Sequence, residues 1–93
     1  MIQNFKDKRT EQIFRGEHER RLPPSIARRA RMRLQRLDAA VNVNDLRAPP
    51  SHRLEKLSGN RAGQWSIRIN DQYRVCFAFR GGDAYDVEVA DYH

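Results

Sequence analysis

The stretch Trp65-Ser66-Ile67-Arg68-Ile69-Asn70-Asp71-Gln72-Tyr73-Arg74-Val75-Cys76-Phe77-Ala78-Phe79-Arg80-Gly81-Gly82-Asp83-Ala84-Tyr85-Asp86-Val87-Glu88-Val89 decides the fold. Trp65, Ile67 and Ile69 alternate with Ser66, Arg68 and Asn70, the period-two pattern of a strand buried on one side. A turn at Asn70-Asp71 or Asp71-Gln72 leads into a second strand, with Tyr73, Val75, Phe77 and Phe79 on one face and Arg74, Cys76, Ala78 and Arg80 on the other. Gly81-Gly82-Asp83 is a hairpin signal, because glycine accepts the positive φ that tight turns demand. The last strand then runs through Tyr85, Val87 and Val89.

Upstream the period changes to that of helices. Ile26, Ala30, Leu34, Leu37 and Val41 recur at spacings of four and three, which predicts a helix after Ser25 with those residues facing the core. Arg29, Arg33 and Arg36 share a flank of that helix, either as a solvated face or as contacts for RNA phosphates or acidic partner residues. Before it, residues 2–5 form a short strand candidate, and Asp7 caps a helix that runs through Ile13 and Phe14 to a stop at Gly16. Leu22-Pro23-Pro24 blocks helix continuation and resets the direction of the chain. Residues 42–51 read as a loop with at most one helical turn.

Helices first and an antiparallel meander afterwards predict an α+β domain, its N-terminal helices packed on one face of an antiparallel β-sheet and the other face open. The 93 residues suffice for one core, so residues 1–93 are expected to form a single domain. Eighteen Lys and Arg against twelve Asp and Glu give a net charge of +6, which favours polyanionic partners. Cys76, alone, excludes an internal disulfide and a thiolate zinc cluster and suits the cytoplasm. No apolar run is long enough to cross a bilayer, and Lys6 and Asp7 interrupt the start of the chain before a signal sequence could form. Phosphate-loop, dinucleotide and metal-ligand motifs are absent, so no metal and no cofactor is expected.

What remains is a set of arginines with acids and bases. Arg68 and Arg74 belong to the face away from the apolar set, Arg53, Glu55, Lys56 and Arg61 enter from the segment before Trp65, and Asp91-Tyr92-His93 follow the last strand. Cleaving RNA by transesterification needs a base for the 2′-hydroxyl proton, an acid for the leaving 5′-oxygen and cations for the phosphorane charge. Glu55 suits the base, His93 the acid and Arg74 the charge stabiliser. Each also has a plainer role: Glu55 as an exposed partner of an arginine, His93 as a frayed end, Arg74 as a solvent-side strand residue. His93 shares parity with Tyr85, Val87 and Val89, so its convergence with Arg74 requires a bulge or a strand end beyond the core.

Taken together, Met1-Ile2, Phe5, Phe14, Gly16, Arg53-Leu54-Glu55, Leu57, Gly59, Arg61, Gly63, Trp65-Ser66-Ile67, Arg74, Phe77 and Asp91-Tyr92-His93 closely resemble the HigB toxins of type II toxin-antitoxin modules, in the RelE/ParE superfamily. The resemblance spans almost the whole chain. It implies a RelE-like fold and a ribosome-dependent mRNA interferase that cleaves mRNA in the A site of the 70S ribosome. By position, Arg74 matches the family's phosphate-binding arginine, and Asp91, Tyr92 and His93 match its C-terminal active-site cluster. Where some HigB toxins carry a histidine and, three residues later, a lysine, this chain has Glu55 and Ser58. Glu55 is similar to the catalytic glutamate of the YoeB toxins, and Lys56 or Arg61 is the candidate substitute for the lysine, whose loss implies a weaker nuclease. Arg53, Lys56, Arg61 and Arg68 are the expected RNA-binding residues. The implied partner is a HigA-type antitoxin with a helix-turn-helix domain. Two other readings stay open: a poison of DNA gyrase like the ParE branch, and a noncatalytic RNA- or ribosome-binding module.

Overall fold

A computed structural model describes residues 1–92, and His93 lies outside the described residues. Two helices, α1 (Lys8–Phe14) and α2 (Pro24–Ala39), precede four strands, β1 (Glu55–Lys56), β2 (Gln64–Arg68), β3 (Tyr73–Arg80) and β4 (Asp83–Asp91). The strands form one antiparallel sheet in the order β1-β2-β3-β4, and the helices cover one face, as the sequence predicts. Among the described residues no helix is long and apolar enough to cross a membrane.

The alternation in β2 and β3 explains the core. Ile67, Ile69, Val75 and Phe77 pack from the sheet against Ile13, Leu22, Ala30, Leu34 and Leu37, and Leu46 closes the end. The Asp7 carboxylate caps α1 by accepting from Thr10 N at 2.8 Å, and the helix stops before Gly16, whose φ is +77°. Helix α2 starts slightly ahead of the expected position after Ser25, on the second proline of the pair that resets the chain direction. Pro24 is the first helical residue, where a missing N–H costs nothing and the fixed φ suits the helix.

Val41 is a correction. The helix ends at Ala39, the side chain of Asp45 accepts from both Val41 N and Asn42 N at 3.1 Å, and Val41 turns outward, 77% exposed. Ala40 takes the core position instead. The following loop holds two 3-10 turns, Val43–Arg47 and Pro50–His52, where at most one was expected. Nor are Arg29, Arg33 and Arg36 free: they donate to the carbonyls of Ile69 (3.3 Å), Arg68 (2.9 Å) and Ala48 (2.9 Å). Spaced at i, i+4 and i+7, they fasten one flank of α2 to the end of β2 and to the loop at Ala48.

Strand β4 carries the irregularity that organises the sheet's second face. Cys76 pairs with Glu88, yet Ala78 pairs with Tyr85, so one extra residue is accommodated there, and Asp86 adopts φ +53°. Expected to share a face with Val87 and Val89, Tyr85 is thereby turned off the core, where Arg80 lies 4.0 Å over its ring, and Ala84 fills its place. Because the bulge precedes Val87, Asp91 keeps the parity of Val89, across from Tyr73, while Glu88, Ala90 and Tyr92 take the face of Arg74.

The free edge of β4 is closed by the start of the chain. Residues 2–5 form no ladder, only bridges of Ile2 with Ala84 and Phe5 with Val87, because the bulge interrupts them. At the gap, Asn4 Oδ1 accepts from Asp86 N (3.0 Å) and Asn4 Nδ2 donates to Asp86 Oδ1 (2.9 Å). Further along, the hydroxyl of buried Thr10 accepts from Val89 N at 2.9 Å and Arg9 donates to Val89 O at 2.8 Å. The other outer strand is only Glu55-Lys56, short and charged, which discourages further pairing.

His52 is fully buried against this core, its Nδ1 3.1 Å from the Leu46 carbonyl and its Nε2 without a partner among the described residues. The carbonyl can only accept, so Nδ1 carries the proton. Burial, with Arg33 and Arg36 adding to it, pushes the imidazole pKa down. Below about pH 6.5, the ordinary histidine value, the unfolded chain therefore takes up a proton that the folded chain resists, and stability falls as pH falls. Denaturant midpoints should drop on acidification just below that value, and His52→Gln should flatten this dependence. Thr10→Val should leave the buried Val89 N–H unpaired and lower stability by about 1–3 kcal/mol in denaturant titrations.

Candidate functional site

The site begins with Ser66, Arg68, Arg74 and Cys76, which the registers of β2 and β3 place on one face: Ser66 opposite Cys76, Arg68 opposite Arg74. Glu55 joins them because it pairs with Ser66. The register puts Lys56 opposite Trp65 on the other side, where its Nζ lies 5.8 Å from the indole centroid. The adjacent residues Glu55 and Lys56 are thus split between the two faces by strand alternation.

Arg74 is the best-held group of this set. Its side chain is 13% exposed, its Nε donates to Ser66 Oγ at 2.7 Å, and its Nη2 donates to the Arg53 carbonyl at 2.7 Å. The carboxylate of Glu55, itself 63% exposed, lies 3.7 Å from Nη2. Nη1 has no partner among the described residues. Arg53 contributes through its backbone: its φ of +45° follows the 3-10 turn at Pro50–His52, and its carbonyl is the Arg74 acceptor, while its side chain is exposed. The guanidinium is therefore pinned along one edge, and the edge carrying Nη1 is left to donate to another group.

Arg68, directly across the ladder from Arg74, pairs with the exposed Asp71 carboxylate. Two like charges directly opposite each other oppose sheet formation, so this pair makes a local demand for anions. Arg61 enters from the 3-10 turn Gly59–Arg61 and donates to Gln64 Oε1 and to Glu88 Oε1, each at 3.1 Å, with Lys6 Nζ 3.7 Å from the same Glu88 oxygen. Its guanidinium carbon lies 6.0 Å from the Tyr92 ring centroid.

Consequently the second sheet face is not open as expected. Ser66 and Cys76 are fully buried and Ala90 is 5% exposed. Burial raises the Cys76 pKa, with the Glu88 charge adding to the effect against Arg61, Tyr92 and Arg74. Burial also raises the Tyr92 phenol, so Tyr92 keeps its proton at neutral pH and serves as a donor or a stacking surface.

The structure thus gathers Arg53, Glu55, Arg61, Arg68, Arg74 and Tyr92 on one face. Lys56 and Asp91 belong to the other, Asp91 at the strand end accepting from Gln72 Nε2 at 3.2 Å. The backbone N–H of Tyr92 donates to the Gln72 carbonyl, which ties the tail to the β2–β3 turn. His93 is the one candidate outside the described residues. Sequence reasoning missed Ser66, Gln64, Cys76 and Glu88 as members of the site. Strand parity was the available signal for Ser66, Cys76 and Glu88, since Ser66 and Cys76 share the parity of Arg68 and Arg74 and Glu88 alternates with Val87 and Val89.

The family model for the RelE-like toxin of type II toxin-antitoxin system HigB matches residues 3–93. Toxin HigB-1 of Vibrio cholerae serotype O1 is 46% identical over 85 residues, covering 90% of either chain. Endoribonuclease HigB of Proteus vulgaris is 34% identical over 93 residues, the full length of both chains. An uncharacterized protein of Haemophilus influenzae is 31% identical over 68 residues, 73% of this chain and 67% of its own.

The burial of Cys76 has a direct readout. Ellman's reagent at neutral pH should leave the native thiol largely unmodified and label it fully in denaturant, since the buried thiol is neither accessible nor ionised.

Proposed function

The chain belongs to the HigB family of RelE-like toxins of type II toxin-antitoxin systems, and we propose that it is an endoribonuclease that cuts mRNA in the ribosomal A site at the sheet face carrying Arg74. Support for nuclease activity comes from the full-length relative in Proteus vulgaris named Endoribonuclease HigB. The observation that carries the reading is the fixed Arg74 guanidinium, with Nη1 unpartnered among the described residues and the Glu55 carboxylate 3.7 Å from Nη2.

In this reaction a base removes the 2′-hydroxyl proton, O2′ attacks the adjacent phosphorus, and the bond to the 5′-oxygen breaks as that oxygen gains a proton. The products are a 2′,3′-cyclic phosphate and a 5′-hydroxyl. Glu55 is the base and His93 the acid that protonates the leaving oxygen, each contributing roughly 10²- to 10⁴-fold. Arg74 stabilises the charge that builds on the phosphorane oxygens, and Tyr92, neutral at working pH, positions or stacks on a base. Asp91 orients the tail. Arg53, Arg61 and Arg68 contact the RNA along the same face, and Lys56 meets it from the β1 edge. The net charge of +6 favours the polyanionic 70S ribosome as the docking platform. The toxin works in the cytoplasm, and the cognate antitoxin that a type II module implies is a HigA-type helix-turn-helix protein.

Primer extension on ribosome-bound mRNA tests the proposal. Wild type should give discrete cuts within codons, Arg74→Ala should lose roughly 10²- to 10³-fold in rate, and Glu55→Gln roughly 10²- to 10⁴-fold. Equal cleavage by wild type and Arg74→Ala would overturn the mechanism. Intact mRNA together with inhibition of gyrase supercoiling would replace the nuclease with a gyrase poison.

A further inference from the structure

We infer that Ser66 is a positioning residue for the nuclease reaction, setting the orientation of the Arg74 guanidinium through a part-buried hydrogen bond; the inference rests on the proposed role of Arg74. Ser66 is fully buried in the middle of β2, with Cys76 opposite on one side and Glu55 on the other. Its Oγ accepts from Arg74 Nε at 2.7 Å. A serine is a poor filler for a buried strand position, since it packs little volume and brings a hydroxyl that needs a partner. Here the hydroxyl oxygen meets the one guanidinium nitrogen whose position is fixed by the aliphatic stem.

The geometry divides the guanidinium into two edges. Ser66 takes Nε–H, the Arg53 carbonyl takes one Nη2 proton, and these two acceptors hold the plane of the group at two points. The outward edge, with Nη1 and the second Nη2 proton, is left to face the Glu55 carboxylate and an incoming phosphate. An arginine side chain is otherwise rich in rotamers, and a bidentate contact with phosphate requires the fork in one plane. Ser66 therefore supplies orientation, not charge. Removing it leaves the positive charge in the site but frees the plane, an error that weakens transition-state contacts more than it weakens RNA binding.

The test is a double-mutant cycle in ribosome-bound mRNA cleavage, with thermal unfolding run beside it. Ser66→Ala should lower kcat about tenfold or more with little change in KM, and Ser66→Thr, which keeps a hydroxyl, should recover most of the loss. Arg74→Lys removes Nε and the planar fork, so adding Ser66→Ala to Arg74→Lys should cost nothing further. A folded Ser66→Ala protein with wild-type kcat would overturn this inference alone, as would losses from Ser66→Ala and Arg74→Lys that multiply. If Ser66→Ala is too unstable to assay, the solvent exchange rate of the Arg74 Nε proton in the wild type decides: a proton exchanging as fast as an exposed arginine's would also overturn it. Full cleavage by Arg74→Ala would overturn the function proposed above and this role together.

Discussion

The backbone at the outer edge of β4 is the constraint on which the rest of this small protein depends. A buried strand edge must find partners for its N–H and C=O groups, and here they come from the opposite end of the chain: Ala84 and Val87 from residues 1–6, Asp86 from Asn4, Val89 from Thr10 and Arg9. Satisfying that edge fixes where α1 starts and how its Ile13 reaches the core. The same fit accommodates the extra residue at Asp86, whose side chain and N–H are both engaged by Asn4. The bulge in turn turns Tyr85 off the core and leaves Glu88 and Tyr92 beside Cys76 and Arg61 on the site face.

Strand periodicity made most of the sheet legible in the sequence. The alternation in Trp65, Ile67 and Ile69 and in Tyr73, Val75 and Phe77 reports a single physical fact, burial on one side, and Gly81-Gly82 reports the backbone of the turn, with φ of +59° and +80°. The pattern failed where burial stopped being the determinant. Val41 continues the helical stripe in sequence but lies past the helix end, where its own N–H and that of Asn42 donate to Asp45 and redirect the chain. Tyr85 alternates with Val87 in sequence, and only the pairing register, a property of two strands, reveals the slip.

The candidate site was legible in composition and less so in arrangement. Glu55 and Arg74 are brought together because Glu55 pairs with Ser66 and Ser66 holds Arg74, a relation that needs the β1–β2 register, which two residues of strand cannot announce. Charge identity alone suggested Lys56 beside Glu55, but neighbours along a strand face opposite ways. The burial of Ser66 was hidden for the contrary reason: parity places it on the face of Arg74, but a serine between Trp65 and Ile67 looks like an ordinary solvent-side residue, and its total burial arises from what folds over it.

The arginines on the flank of α2 were expected to be solvated or to grip a partner, and they instead hold backbone carbonyls. A carbonyl lends partial negative charge but does not cancel a guanidinium, so Arg29, Arg33 and Arg36 remain cations at fixed points in a rigid frame. Such charges shape the long-range field without touching whatever the field attracts. For a polyanion approaching this protein, the rate of encounter and its sensitivity to ionic strength are then set partly by residues absent from the final contact. Under the proposed nuclease reading, capture and chemistry then fall to different arginines.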